Sequence, residues 1–132
     1  MQLTSEQALD LSQRFRALSV TLRDFRFSHW DELLPAQREA VENSEWSLLN
    51  DSSDMITEAV GLALDESETS FLRLQDSTEK AGDALKSLKQ IQAIIDVAAA
   101  AVGLAGAIIS RDPVAVGKSL AAVYAVVAPL RS

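Results

Sequence analysis

The chain contains no cysteine, and only three prolines and five glycines occur among its 132 residues. The absence of cysteine excludes disulfides and thiol chemistry. The scarcity of proline and glycine leaves long stretches without helix breakers. No stretch alternates apolar and polar residues with the period of two that a half-buried strand requires. These absences together favour an all-helical chain.

Aromatic side chains make up 5% of the residues, whereas apolar residues of all kinds make up 48%. The core is therefore predicted to be aliphatic and rich in alanine. A length of 132 residues suits one domain with its own core. We predict an all-α fold, a single domain over residues 1–132. It is an antiparallel bundle of about five helices that ends in an apolar Ala/Gly-rich helical hairpin at residues 91–130.

Residues that could carry chemistry are also few. The one histidine, His29, precedes Glu32 at a spacing that could offer two metal ligands, but a bundle metal site needs more carboxylates and a second histidine. Gly-Lys-Ser at 117–119 resembles the end of a phosphate-binding loop, yet Asp112 stands where that loop has glycine. No calcium loop or nucleophile elbow is present. We therefore predict no catalytic, cofactor-binding or metal site, and no enzyme activity.

The net charge of −7 is concentrated in one segment. Residues 31–72 carry one arginine against eleven acidic residues, a net charge of −10, while residues 1–30, 73–90 and 91–132 each carry +1. A chain of this kind lacks the basic face that nucleic acid requires. The acidic block is either a solvated helical face or a docking face for a basic protein partner. In the second interpretation the partner-binding residues are Glu39, Glu42, Glu45, Asp65, Glu66 and Glu68.

The first helix has the clearest periodicity in the chain. Thr4 or Ser5 is placed to cap it. Its apolar residues follow at alternating spacings of three and four, which is a heptad seam, at Ala8, Leu11, Phe15, Leu18, Leu22 and Phe25. Because Pro35 disfavours helix in the residue before it, we expect this helix to end at about Leu33 or Leu34. We expect its arginines (Arg14, Arg16, Arg23 and Arg26) to lie near acids of residues 31–72, and Trp30 and Trp46 to clamp the corner at Pro35.

The remaining helix boundaries follow from turn and capping residues. The cluster at residues 50–54 is rich in Asn, Asp and Ser and predicts a turn. No proline interrupts residues 53–110, but one helix there would be about 87 Å long, too long for a compact domain. We place a break at residues 75–78, with a single rod as the alternative. The predicted helices are 4–33, 36–50, 53–75, 77–110 and 113–129.

The C-terminal hairpin combines two apolar segments around Ser110-Arg111-Asp112-Pro113, where Asp112 can cap the second helix and Pro113 suits its first position. Small residues recur along one side of each segment at helical spacing. Since small residues let two backbones approach closely, we predict that these faces pack on each other. The packing residues are Ala99, Gly103, Gly106, Gly117, Ala121 and Ala125.

Two functions fit these features. The first is a small acidic protein–protein interaction module, as a bacterial immunity protein, secretion chaperone or adaptor would be, with an unidentified partner that a basic surface would suit. The second is a membrane-active protein whose hairpin at 91–130 inserts into or docks on a bilayer. That hairpin is broadly similar to the insertable hairpins of helical pore-forming toxins, without a specific motif. Asp96 and Lys118 leave uncharged runs too short to span a bilayer, which favours the first.

Two further expectations concern assembly and location. Apolar seam surface that finds no partner within the chain would favour a homodimer. No basic segment followed by an apolar one is present at the N-terminus, so no secretory signal is visible and a cytoplasmic location is expected. Export without such a signal remains compatible with the sequence.

Overall fold

The computed structural model describes residues 1–65, 67, 69–87 and 89–128. Five α-helices occupy this part of the chain: α1 (Ser5–Ser28), α2 (Pro35–Glu58), α3 (Phe71–Ser87), α4 (Ile91–Ser110) and α5 (Pro113–Val127). A short 3-10 helix, Trp30–Glu32, lies between α1 and α2. Helix makes up 83% of the described residues and none of them forms a strand, which confirms the predicted helical bundle.

The first helix begins with a capping box. The Thr4 hydroxyl accepts a hydrogen bond from the Gln7 backbone N–H at 3.1 Å, and the Gln7 side chain accepts one from the Thr4 N–H at 3.0 Å. These two bonds satisfy N–H groups that the first helical turn leaves free. The predicted heptad seam is buried along α1, and its last residue, Phe25, is half-buried.

The turn that we predicted at residues 50–54 is wrong, because α2 continues through it to Glu58. The Ser52 hydroxyl donates to the Leu49 carbonyl at 2.7 Å, and the Ser12 hydroxyl of α1 donates to the Ser52 carbonyl at 2.5 Å. Serine favours turns because its hydroxyl competes for backbone groups. Here the Ser52 hydroxyl bonds inside the helix, so the turn signal has no effect.

The predicted break at residues 75–78 is also wrong, since these residues lie inside α3. The hydroxyls of Ser77 and Thr78 donate to carbonyls three residues earlier, each at 2.8 Å, as helical Ser and Thr often do. The chain leaves the helical conformation instead between α2 and α3, where Gly61 has φ +91°, and again between α3 and α4. The single rod over residues 53–110 is therefore wrong too.

The N-terminal residues hold the connection between α2 and α3 in place. The Leu3 N–H donates to the Leu62 carbonyl and the Gly61 N–H donates to the Leu3 carbonyl, both at 2.9 Å. The Leu64 N–H donates to the Met1 carbonyl at 2.8 Å. These bonds replace the intrahelical bonds that the chain loses at Gly61. Their partners are about 60 residues apart in sequence, so no local pattern could reveal them.

The helices pack as two antiparallel pairs with α3 against both. α2 packs on α1 and α4, α5 packs on α4, and α3 contacts α1, α4 and α5. The core between them is aliphatic, as the composition predicts, and Phe15 is the one aromatic residue among its largest fully buried side chains. Those side chains are Phe15, Leu3, Leu11, Leu22, Leu48, Met55, Leu62, Leu74, Ile94, Leu104, Ile108 and Leu120.

Candidate functional site: the exposed face of the C-terminal hairpin

The connection between α4 and α5 has the predicted capping residues. Arg111 adopts a left-handed conformation (φ 56°) and ends α4. The Asp112 carboxylate accepts hydrogen bonds from the backbone N–H groups of Val114 and Ala115, at 3.1 and 3.3 Å, and Pro113 occupies the first helical position. These local signals set the point at which the chain reverses.

The buried sides of the two helices consist mainly of larger aliphatic residues. α4 buries Ile94, Val97, Ala98, Ala101, Leu104, Ala105, Ala107 and Ile108. α5 buries Val116, Leu120, Val123 and Val127. Burial of a large aliphatic side chain stabilises a fold more than burial of alanine or glycine, because more apolar area leaves water. The bundle therefore uses the large-residue sides of both helices.

The predicted packing of the small-residue faces on each other is wrong. Ala99, Gly103 and Gly106 of α4, and Ala121 and Ala125 of α5, are all exposed. A Cβ atom built at Gly103 or Gly106 would meet nothing within 4 Å. The sixth predicted residue, Gly117, is half-buried, and a Cβ there would lie 3.6 Å from the methyl group of Thr69, which precedes α3.

The exposed small residues leave an uncharged face on each helix, and we call the two together the hairpin face. It consists of Ala99, Gly103 and Gly106 of α4 with Ala121, Ala122 and Ala125 of α5. Exposed Asp96 lies one turn before it on α4, and exposed Lys118 lies one turn before it on α5. Single exposed apolar residues are ordinary, whereas large contiguous apolar surface marks interaction sites.

The hairpin face also explains why α4 is so apolar. This 20-residue helix has a mean hydropathy of 2.1 over its most apolar stretch, yet 44% of that stretch is buried inside the bundle. Among the described residues it is the one helix long and apolar enough to cross a membrane. The core helix of a soluble protein can reach the same hydropathy. Between Asp96 and Ser110, the exposed residues of α4 are Ala99, Gly103 and Gly106, none of which is polar.

The acidic residues that we predicted on α2 are not equivalent. Glu39 and Glu42 are exposed, but Glu45 is buried against Arg26 of α1. The Arg26 Nε donates to Glu45 Oε2 at 2.5 Å, and Nη2 donates to Oε1 at 3.1 Å. The bonds to Glu45 raise the pKa of Arg26 above its ordinary value, although burial opposes the shift. Glu45 therefore joins two helices of the bundle and is closed to a partner.

The other predicted acids lie at the far end of α2. Asp65 follows that helix and accepts hydrogen bonds at 2.8 Å from both the backbone N–H and the hydroxyl of Ser67. Glu66 and Glu68 lie outside the described residues. A 24-residue helix is about 36 Å long. Because Glu39 and Glu42 are near its start and Asp65 follows its end, these acids do not share one compact face.

Of the four arginines expected to neutralise the acidic block, Arg26 does so, since it contacts Glu42 at 3.6 Å as well as Glu45. Arg14 and Arg23 pair instead with acids of α1, with Asp10 at 2.8 Å and Asp24 at 3.7 Å. Burial alone would raise the pKa of Asp10, but hydrogen bonds from Gln75 and Arg14 outweigh it, and the pKa is lowered.

The histidine lies at the end of α1, beside a groove of about 420 Å³ that Asp24, Lys86 and Lys89 also line. Its Nδ1 is 3.1 Å from the Phe25 carbonyl oxygen, and its ring stacks on the Phe25 ring with centroids 4.4 Å apart. Nε2 is 3.9 Å from a Glu32 carboxylate oxygen. Over the described parts of the chain, no group of three or more potential metal ligands comes together.

A polar cluster that the sequence did not reveal joins α5 to α3. The Tyr124 hydroxyl donates to the Asp76 carboxylate at 2.7 Å, and the Arg73 guanidinium lies 4.8 Å from the centre of the Tyr124 ring. Lys80 pairs with Asp76 at 2.9 Å. Burial, with a further contribution from Asp76, raises the pKa of Tyr124 to about 12. The cluster holds the side of α5 next to α3.

Comparisons of the chain with protein-family models, with curated proteins and with solved structures find no match.

Proposed function

We propose that the chain is a helical protein–protein interaction module that docks a partner through the hairpin face. The observation that carries the proposal is the exposure of Ala99, Gly103 and Gly106 on a helix whose remaining sides already supply the core. The bundle uses other residues for its own packing, so this face is free for another molecule. The docking surface is therefore the hairpin face and not the acidic residues of α2 and the segment after it.

The composition of the face defines the partner that would fit. Glycine costs about 1 kcal/mol relative to alanine in a helix interior, and no neighbour within the bundle requires glycine at Gly103 or Gly106. Small residues let another backbone come close, as at helix–helix interfaces in general. An apolar helix of the partner, laid along the hairpin, would make this contact. Asp96 and Lys118 would then form part of a charged rim.

A bilayer is the second candidate for the same face, and the length and hydropathy of α4 favour it. Two features count against it. Lys118 is exposed on α5 and Asp96 on α4, which is costly at membrane depth. The buried side of α4 packs against α2 and α3, so insertion of the helix would have to break the core. Docking on a protein needs no such rearrangement.

A cross-linking experiment tests the proposal. A photoreactive amino acid at position 106 should form a specific adduct with one protein in an extract of the native host. Gly103→Trp should abolish that adduct, because the indole fills the surface where the partner helix would lie. Ala36→Trp is the matched control, since Ala36 is an exposed small residue on α2, and the adduct should persist.

Vesicle flotation separates the two candidates. Wild-type protein should stay with the soluble fraction when mixed with phosphatidylcholine–phosphatidylglycerol vesicles. Flotation that Gly103→Trp changes and Ala36→Trp leaves alone would contradict the protein partner and assign the face to lipid. Adducts that survive Gly103→Trp would remove the hairpin face from the docking site altogether.

A further inference from the structure

A stripe of exposed side chains runs along α1 on the side next to α2. Its six residues are spaced alternately by four and three, so they follow one face of the helix. The two charged residues among them are both positive. We call this the α1 stripe: Leu9, Gln13, Arg16, Val20, Arg23 and Phe27, all exposed.

A second stripe with the same spacing runs along α2 on the side next to α1. Its two charged residues are both negative, and it includes Trp46, which is 57% exposed instead of clamping the corner at Pro35. All of its residues are exposed except Leu49, which is half-buried. We call this the α2 stripe: Glu39, Glu42, Trp46, Leu49, Ser53 and Ile56.

The two stripes border one groove. Arg23 of the α1 stripe and Trp46 and Leu49 of the α2 stripe line a groove of about 180 Å³, with Arg26 and Glu45 between them. The Ser12–Ser52 bond and the Arg26–Glu45 pair fix the register, with the start of α1 beside the end of α2. Of the ten large apolar residues that are exposed in the described part of the chain, five belong to these stripes: Leu9, Val20, Phe27, Trp46 and Ile56.

We infer that two copies of the chain associate through this face, with the α1 stripe of each copy on the α2 stripe of the other. A two-fold axis parallel to the helices produces this arrangement, and an isologous interface of this kind uses the same patch on both subunits. With the observed register, Val20 meets Leu49 of the second copy and Leu9 approaches its Ile56. Both pairs are apolar, and each occurs twice.

Charge is the reason for choosing a second copy as the occupant. A helix of one charge sign laid in the groove would meet arginines on one side and glutamates on the other. A second copy presents the opposite sign to both sides, and complementary potentials of this kind favour one partner and one orientation. Arg23 reaches Glu42 of the second copy and lies over its Trp46, where the indole attracts a cation.

The same charges exclude the other two-fold arrangement. An axis perpendicular to the helices would lay α1 on the α1 of the second copy, with Arg16 opposite Arg23. Like charges that face each other across an interface are unfavourable. The arrangement with α1 on α2 is therefore the one that the stripes support.

Charge reversal tests the association. Wild-type protein should sediment as a dimer of about 28.6 kDa, twice the 14.3 kDa of one chain. Arg16→Glu/Arg23→Glu should raise its dissociation constant by about tenfold or more, and so should Glu39→Lys/Glu42→Lys. A mixture of the two variants should dimerise again, because each reversed stripe then meets a reversed stripe. Circular dichroism checks that both variants fold.

Cysteine cross-linking tests the orientation, and the chain suits it because it has no cysteine of its own. Val20→Cys protein mixed with Leu49→Cys protein should form a disulfide-linked dimer under mild oxidation, whereas Val20→Cys protein alone should not. A wild-type chain that sediments as a monomer from millimolar to micromolar concentration would overturn the proposal. So would cross-linking of Val20→Cys alone. Neither result would bear on partner docking at the hairpin face, which is a separate surface.

Discussion

The α1–α2 pair and the α4–α5 pair are both antiparallel helix pairs, but they are held together in different ways. Between α1 and α2 lie a two-bond Arg26–Glu45 ion pair and a hydrogen bond from Ser12 to the Ser52 carbonyl. The buried sides of α4 and α5 consist of aliphatic residues and alanine. Their exposed faces differ too, with charges and aromatic residues on the first pair and small uncharged residues on the second.

The two helix pairs are therefore aligned by different kinds of contact. Directional bonds between buried polar groups make one register of α1 against α2 better than its neighbours, since a shifted register would leave Arg26 or Glu45 unpaired. Aliphatic contact is much less directional. The alignment of α5 therefore depends on the tight loop at Arg111 to Pro113 and on the bond from Tyr124 to Asp76.

The largest effect is expected from breaking the ion pair. Glu45→Ala removes the two-bond partner of Arg26 and leaves this half-buried arginine only its 3.6 Å contact with Glu42. We expect a loss of about 3 kcal/mol in the free energy of unfolding, measured from urea denaturation. This is the lower end of the range for a buried pair. Both side chains retain some exposure, 11% for Arg26 and 9% for Glu45.

The double variant Arg26→Met/Glu45→Leu is the control for this prediction. It replaces the pair with apolar side chains and should recover most of the lost stability, because no buried charge is then left alone. If Glu45→Ala unfolds at the same urea concentration as wild type, the ion pair does not align α1 and α2, and the contrast with the α4–α5 pair disappears.

A smaller effect of opposite sign is expected on the hairpin face. Gly103→Ala should stabilise the isolated protein by about 0.5–1 kcal/mol, because alanine favours helix and meets no neighbour at this position. Gly103→Leu should fold equally well, since its side chain enters open space. Thermal unfolding of the two variants checks the expectation. A clear loss of stability in Gly103→Leu would mean that this side of α4 is packed within the bundle.

Gly61 provides the contrasting glycine. Its φ of +91° is strained for any residue with a side chain, even though a Cβ there would meet no neighbour. Gly61→Ala should therefore lower the free energy of unfolding by about 1–2 kcal/mol. The opposite signs at Gly61 and Gly103 would separate backbone conformation from side-chain space as the cause of each effect.

The last comparison concerns the bond that ties α5 to α3. Tyr124 is the only tyrosine, so absorbance of the tyrosinate follows its titration directly. We expect a midpoint of about 12 in the folded protein and near 10 in urea. The neutral phenol is favoured in the folded state, so this contribution to stability is complete below pH 10 and is lost as pH rises to 12. Equal midpoints would show that Tyr124 is neither buried against α3 nor bonded to Asp76.

Local signals predicted the features of this fold that depend on neighbours in sequence. The heptad seam from Ala8 to Phe25 correctly predicted the buried side of α1, because heptad spacing places these apolar residues on one side of a helix. Thr4 and Asp112 cap helices where expected, since a cap needs only the next three residues. The helical class and the hairpin loop belong to this group.

The helix boundaries that we predicted wrongly depend on contacts with residues that are distant in sequence. Ser52 and Ser53 suggested a turn from their residue type. In the structure, the hydroxyl of Ser12 on α1, 40 residues away in sequence, donates a hydrogen bond to the Ser52 carbonyl. The real break at Gly61 is held by residues 1–3. In the same way, Glu45 looked like one acid of an accessible face, until α1 brought Arg26 against it.

Composition and periodicity were enough to predict a helical bundle with an aliphatic core and an apolar hairpin that turns at Asp112. Which side of each hairpin helix is buried depends on how the whole bundle packs. Between Asp96 and Ser110 both sides of α4 consist of apolar residues and glycine, so the pattern within that stretch could not rank them. The larger side chains of one side bury more area against α2, α3 and α5. The glycines and alanines of the other side are consequently left at the surface.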